Sequence, residues 1–213
     1  MKIRQATPND VKDFIRVKNQ LPFKYSDERT SKGGFLLGTD EATYLKYITN
    51  DYCLVAENES GIVGFGIMLK DESVKKSDVW TRRHQATWNI NIKDYEQKKV
   101  CYFEQLAFLK GHSRTVMSLA YNLTCWAFEQ GHTHFFTTTV KYPITNLAAV
   151  PYILKASGKK VGNIDEVYPI IGQINSDIYM IEAMKFYQTA KTSKLLPFLE
   201  RNYIRFTVKK TYD

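Results

Sequence analysis

Six consecutive residues, Lys110-Gly111-His112-Ser113-Arg114-Thr115, combine three basic side chains, two hydroxyls and one glycine. They stand between an apolar run, Val100 to Phe108, and a long amphipathic segment closed by Gly131. A strand-to-helix turn of that composition suits an anion. The first N–H groups of a helix lack partners, glycine lets the backbone approach closely, and the hydroxyls and cations add donors. The same residues also suit an ordinary connection in which Ser113 is the N-cap. Other chemistries find less support. Glu104, His112 and Ser113 are close in sequence, but no nucleophile elbow surrounds Ser113, which argues against a hydrolase. His84, His112, His132 and His134 offer no pair with a third ligand, so no metal is expected. His132 and His134 flank the Gly131 helix exit, where a cation would complement the helix dipole. Cys53, Cys101 and Cys125 lack metal-ligand spacing and read as reduced core residues.

The elements that must hold this turn are marked along most of the chain. Lys2 to Ala6 predicts an opening strand. Thr7 is then an N-cap, Pro8 takes the first helical position and Asp10 closes a capping box. The following helix places Val11, Phe14, Ile15 and Val17 on one side and stops before Pro22. Cys53 to Glu57 and Ile62 to Leu69 predict a hairpin around Glu59-Ser60-Gly61. Beyond Gly131 come a strand, Phe135 to Val140, a helix headed by Asn146, and Gly158. Within residues 70–99, the alternation of Ala86, Trp88, Ile90 and Ile92 with polar residues predicts a further strand. Residues 184–203 have helical potential interrupted at Pro197, and Tyr203 to Val208 predicts a last strand.

This order of elements resembles the core of the GNAT (GCN5-related) N-acetyltransferase superfamily across about residues 1–183. The start "IRQAT", the hairpin "CLVAENESGIVGFGIML" and the Gly33-Gly34-Phe35-Leu36-Leu37 stretch are similar to members of it. The resemblance implies an α/β fold with a mixed, bent central sheet and helices on both faces; residues 184–213 lie outside it and read as an extension packed on the same domain. An acceptor-pocket cap or a homodimer contact is the alternative for that extension. The resemblance also implies acetyl-CoA as co-substrate, its pyrophosphate on the Lys110–Thr115 turn and its pantetheine along the backbone of Leu106, Ala107 and Phe108. Asn146 would reach the cofactor. Glu104, in "CYFEQLAF", would be the base that takes the proton from an attacking amine. The family's acid tyrosine has no counterpart in register: counting from Asn146 gives Ile153 and from Gly158 gives Leu154. The neighbouring Tyr152 is the candidate, either turned into the site or packed in the core, with Pro151 starting or kinking its helix. The turn itself is a degenerate match, since Ser113 and Thr115 replace the two later small residues.

Composition agrees with this reading. The 213 residues are 44% hydrophobic and 14% aromatic, enough for a substantial core. No run approaches the roughly 20 apolar residues of a membrane span, and the charged start is not a signal peptide, so a cytoplasmic protein is expected. The net charge of +8 suits the phosphates of coenzyme A as well as a polynucleotide. The basic pairs Lys75-Lys76, Arg82-Arg83, Lys98-Lys99, Lys159-Lys160 and Lys209-Lys210 accompany no nucleic-acid motif, leaving that partner as the remote alternative. Two nearer alternatives are a non-catalytic acyl-CoA-binding module and an acyltransferase whose donor is a carrier protein. The acceptor, a small-molecule or peptide amine, is written in no motif.

Overall fold

A computed structural model describes residues 1–21, 30–31, 33–36, 38–169 and 171–206. Its sheet has seven main strands: β1 (Lys2–Gln5), β2 (Tyr52–Asn58), β3 (Gly61–Leu69), β4 (Val100–Phe108), β5 (His134–Tyr142), β6 (Lys159–Tyr168) and β7 (Gly172–Glu182). They lie in the order β1-β2-β3-β4-β5-β7-β6, with a two-residue bridge, Thr87–Trp88, beyond β6. Every main pair is antiparallel except β4 with β5. That single parallel pair encloses α3 (Ser113–Glu129), because parallel neighbours need a crossover connection.

Helices cover both faces. On one, α1 (Val11–Asn19) and α2 (Glu41–Asn50) form a core with β3, in which Phe14 stacks on Phe65 at 4.1 Å and Tyr44 meets both rings edge-on. On the other lie α3, α4 (Val150–Lys155), α5 (Ala183–Thr192) and α6 (Leu196–Arg201). Leu119 and Leu123 of α3 are fully buried here. The strand beneath must carry Gly66, because a Cβ there would stand 2.6 Å from Leu119 Cδ2. The expected entry to α1 is present. The Asp10 carboxylate accepts from Thr7 N at 2.7 Å and Thr7 Oγ1 at 2.9 Å, and its ion pair with Arg4 holds it below the ordinary carboxylate range.

Several local expectations are corrected. Only Thr87–Trp88 of the 86–92 segment is a strand. Asn91 Oδ1 accepts from Lys93 N at 3.3 Å and starts a 3-10 turn at Ile92–Tyr95, so the chain leaves the sheet. The alternation is still used, since Ala86, Trp88, Ile90 and Ile92 all pack on the α1–α2 core. Asn146 heads no helix. It pairs with Ser31 in a short parallel bridge and accepts from Ala148 N at 3.0 Å, while Pro151 begins α4 rather than kinking it. Ser113 is not the N-cap of α3, since the capping position is His112. Tyr203 to Phe206 form no strand, because fully buried Asn122 captures that backbone instead. Its Nδ2 donates to Asn202 O at 3.1 Å and its Oδ1 accepts from Ile204 N at 2.7 Å. Pro22, Leu37, Val208 and the pair Lys209-Lys210 lie outside the described residues.

His132 and His134 are buried rather than dipole-facing cations. His132 donates from Nδ1 to Val100 O at 3.0 Å and accepts the Tyr52 hydroxyl at Nε2, 3.1 Å away. Burial pushes its pKa down to about 4. The folded state therefore binds fewer protons than the unfolded state between the ordinary value of 6.5 and about 4. Stability from this group is whole above 6.5 and falls with pH across that window by at most about 1.4 kcal/mol per unit. Denaturant unfolding at pH 7 and 4.5 is expected to show this loss in the wild type and a smaller one in His132→Gln.

Candidate active site

The site begins where β4 and β5 part. Their ladder runs only from Val100↔His134 to Tyr102↔Phe136. Thr137 Oγ1 makes one further bond to Phe103 O at 2.9 Å. On its other edge β4 stays paired with β3, and there the register skips a residue. Phe103 faces Met68 and Gln105 faces Ile67, leaving Glu104 as the extra residue of a β-bulge. Bulges bend a strand and re-aim a side chain. Leu109 N donates to Val63 O at 2.9 Å. By the alternation of an antiparallel ladder, Leu106 and Phe108 therefore turn their main-chain N–H and C=O groups toward the gap.

A cavity of about 890 Å³ runs through this gap and is lined from both faces of the sheet. Leu36, Glu104, Glu166 and Tyr168 line it on the α1–α2 side; Met117, Tyr121, Tyr152 and Leu199 line it on the α3 side. Leu106, Ala107, Phe108 and Asn146 also reach it. The Glu104 carboxylate has no hydrogen-bond or ion-pair partner among the described residues. Burial, then the negative charges of Glu166 and Asp51, raise its pKa to about 7. Its neighbour Gln105 also lines the cavity and is tied to α2, accepting from Tyr44 OH at 3.0 Å and donating to Thr39 Oγ1 at 2.9 Å.

The turn Lys110–Thr115 does not line the cavity, but Val116 and Met117, the next residues of α3, do. Gly111 has φ of +90°, and a Cβ there would meet nothing within 4 Å. The first α3 amide to bond inside the protein is Val116 N, to His112 O at 3.0 Å. The five preceding N–H groups, Gly111 to Thr115, have no partner among the described residues. Unsatisfied donors at the positive end of a 17-residue helix, with open space before them, fit a phosphate.

On α4, Tyr152, Ile153 and Leu154 all line the cavity; Ile153 is buried, Leu154 is 56% exposed and Tyr152 is half-buried, the one of the three with a hydroxyl. Sequence reasoning missed Glu166, whose partner Arg82 lies 84 residues earlier. The 184–213 extension, for which a pocket cap stood only as an alternative, reaches the cavity from the α3 side through Phe186 of α5 and Leu199 of α6. No group of three or more potential metal ligands occurs among the described residues, and no helix there is long and apolar enough to cross a membrane.

No family model and no curated protein matches the chain. Solved structures do match. The structure of yncA from Salmonella typhimurium with its cofactor acetyl-CoA superposes with a TM-score of 0.58 at 12% identity, over 85% of this chain and 93% of that one. A GNAT-family acetyltransferase from Listeria monocytogenes gives 0.53 at 16% identity, over 84% and 93%. Arabidopsis thaliana NAA60 in complex with a bisubstrate analogue gives 0.55 at 13%, over 84% and 96%. The chain therefore has the GNAT acetyltransferase fold.

Proposed function

We propose that this GNAT-fold chain is an acyl-CoA-dependent N-acyltransferase that passes acetyl from acetyl-CoA to the amine of a small molecule or peptide in the cytoplasm. The observation that carries the reading is Glu104. A bulge aims it into a cavity that passes through the sheet, and its pKa near 7 matches the task of a base at neutral pH. The fold neighbours solved with acetyl-CoA and with a bisubstrate analogue support the class of reaction. Residues 1–183 would form the catalytic unit and 184–213 an extension packed on it.

Each part of the chain then has a task. The N–H groups of Gly111 to Thr115, with Lys110, His112 and Arg114, hold the pyrophosphate. The open edge of β4 at Leu106, Ala107 and Phe108 pairs with the pantetheine amides as a short added strand. Asn146 borders the same half. When bound, the thioester supplies an activated acyl carbon and a thiolate leaving group. Glu104 takes the proton of the acceptor ammonium, directly or through one water, and frees the nitrogen lone pair for attack on that carbon. As the C–S bond breaks, the Tyr152 hydroxyl gives its proton to the sulfur, and the proton shed by the nitrogen of the new amide restores the hydroxyl.

The direct test is release of free thiol from acetyl-CoA across a panel of amines. Amine-dependent release is expected, and binding of CoA without release on any amine would reduce the protein to a binding module. With an acceptor in hand, Tyr152→Phe is expected to lower turnover about tenfold or more, with an unchanged melting temperature because Tyr152 is half-buried and its hydroxyl has no hydrogen-bond partner among the described residues. Loss of stability without loss of turnover would return Tyr152 to the core.

A further inference from the structure

On the α1–α2 side, two carboxylates stand in the cavity wall, and the guanidinium of Arg82 is bound to one of them. Glu104 and Glu166 both line it. Arg82 Nη2 donates to Glu166 Oε1 at 2.8 Å, while Arg82 Nε is buried with no hydrogen-bond partner. The guanidinium is thus committed to Glu166 in a half-buried setting, with side chains 32% and 20% exposed. There a charge acts over a longer range than at the open surface. Arg82 opens the 3-10 turn Arg82–Gln85, within residues 70–99. As a contribution to stability, a partly exposed ion pair of this kind is worth little. Its position behind the second carboxylate is the informative feature.

Among the described residues, the titratable groups coupled to Glu104 come from three elements. These are Tyr44 and Tyr47 of α2, Asp51 at its end, Tyr102 of β4 and Glu166 of β6. Burial raises all three tyrosines, so they stay neutral at working pH. Among the described residues, the charges that act on Glu104 directly are therefore those of Asp51 and Glu166, and Arg82 is bound to Glu166. We propose that Arg82 and Glu166 form a positioning pair that sets the field at the base Glu104, and that the 70–99 segment serves to deliver its cationic half. Glu166 discourages loss of the Glu104 proton, and Arg82 limits that effect so that the proton still leaves near neutrality. This rests on the reading of Glu104 as the base.

The two halves of the pair predict opposite results. A merely structural bridge would be broken equally by either substitution and would leave Glu104 unmoved. The full chain labelled with ¹³C at glutamate carboxyls is titrated by NMR, Glu104 being the resonance missing from Glu104→Gln. The wild-type midpoint is expected near 7. Glu166→Gln is expected to lower it by roughly half a pH unit or more, and Arg82→Gln to raise it by a similar amount. Arg82→Lys, which keeps the charge, should restore it toward the wild-type value. If Arg82→Gln fails to fold, the downward shift in Glu166→Gln and its near-absence in Arg82→Lys still decide the matter. An unmoved midpoint in Glu166→Gln, or shifts of the same sign in both glutamine variants, would overturn the proposal. The titration uses neither CoA nor amine. A chain that shows the shifts without thiol release loses only the acyl-transfer reading, and an active enzyme without the shifts loses only the pair.

Discussion

Glu104→Gln is expected to lower kcat/KM by about 10²- to 10⁴-fold while leaving CoA affinity nearly unchanged, because it removes the proton acceptor and not the phosphate cradle. The wild-type pH profile should rise through about pH 7 and then level, since the carboxyl must lose its proton before it can act. The same substitution should stabilise the protein on the alkaline side. A folded-state pKa raised from 4.5 to about 7 means that the folded chain holds a proton which the unfolded chain has already released. Wild-type stability therefore declines as pH rises from 4.5 to 7 and stays reduced above that. By linkage the difference approaches roughly 3 kcal/mol. Denaturant melts are expected to show Glu104→Gln more stable than wild type at pH 8 and nearly equal to it at pH 4.5. A variant with full activity across the profile would place the base elsewhere, and equal stability at both pH values would mean that the carboxyl titrates as if in water.

Gly111→Val is expected to weaken CoA binding by about tenfold or more, since a side chain would occupy the space before the five free N–H groups. A Cβ at this position meets no protein atom within 4 Å, so no clash arises within the fold. The backbone does object. A β-branched residue held at φ of +90° stores strain of about 1–3 kcal/mol. Calorimetric titration with CoA, run beside a denaturant melt, separates the two effects. A folded variant that binds CoA as the wild type does would remove the turn from the binding site.

Much of the scaffold was legible because its signals are local. The unbroken apolar run of β4, the helical period of α3 and the glycine between them fix a strand, a turn and a helix without reference to anything distant. The Thr7–Asp10 capping box and the Glu59-Ser60-Gly61 hairpin are local in the same way. What escaped depends on partners far along the chain. The bulge at Glu104 exists only in the register between β3 and β4, and no property of "CYFEQLAF" marks the skipped residue. Asn146 sits where a helix head was expected, yet its neighbour across the bridge is Ser31. The alternating apolar residues from Ala86 to Ile92 fit a strand as well as they fit a looped segment packed on a core, and Asn91 decides between the two. Arg82 and Glu166 look like surface charges until the fold pairs them and sets Glu166 in the cavity wall.

The central claim is that the gap between β4 and β5, with the free N-terminus of α3 beside it, takes coenzyme A. Isothermal calorimetry of the full chain with acetyl-CoA at several salt concentrations tests it most directly. The account predicts a single site that keeps much of its affinity as salt rises, and a matching stabilisation of about 2.7 kcal/mol at a ligand concentration 100 times Kd. No binding heat and no thermal shift at high excess of acetyl-CoA, or tight polynucleotide binding that collapses with salt in its place, would contradict it.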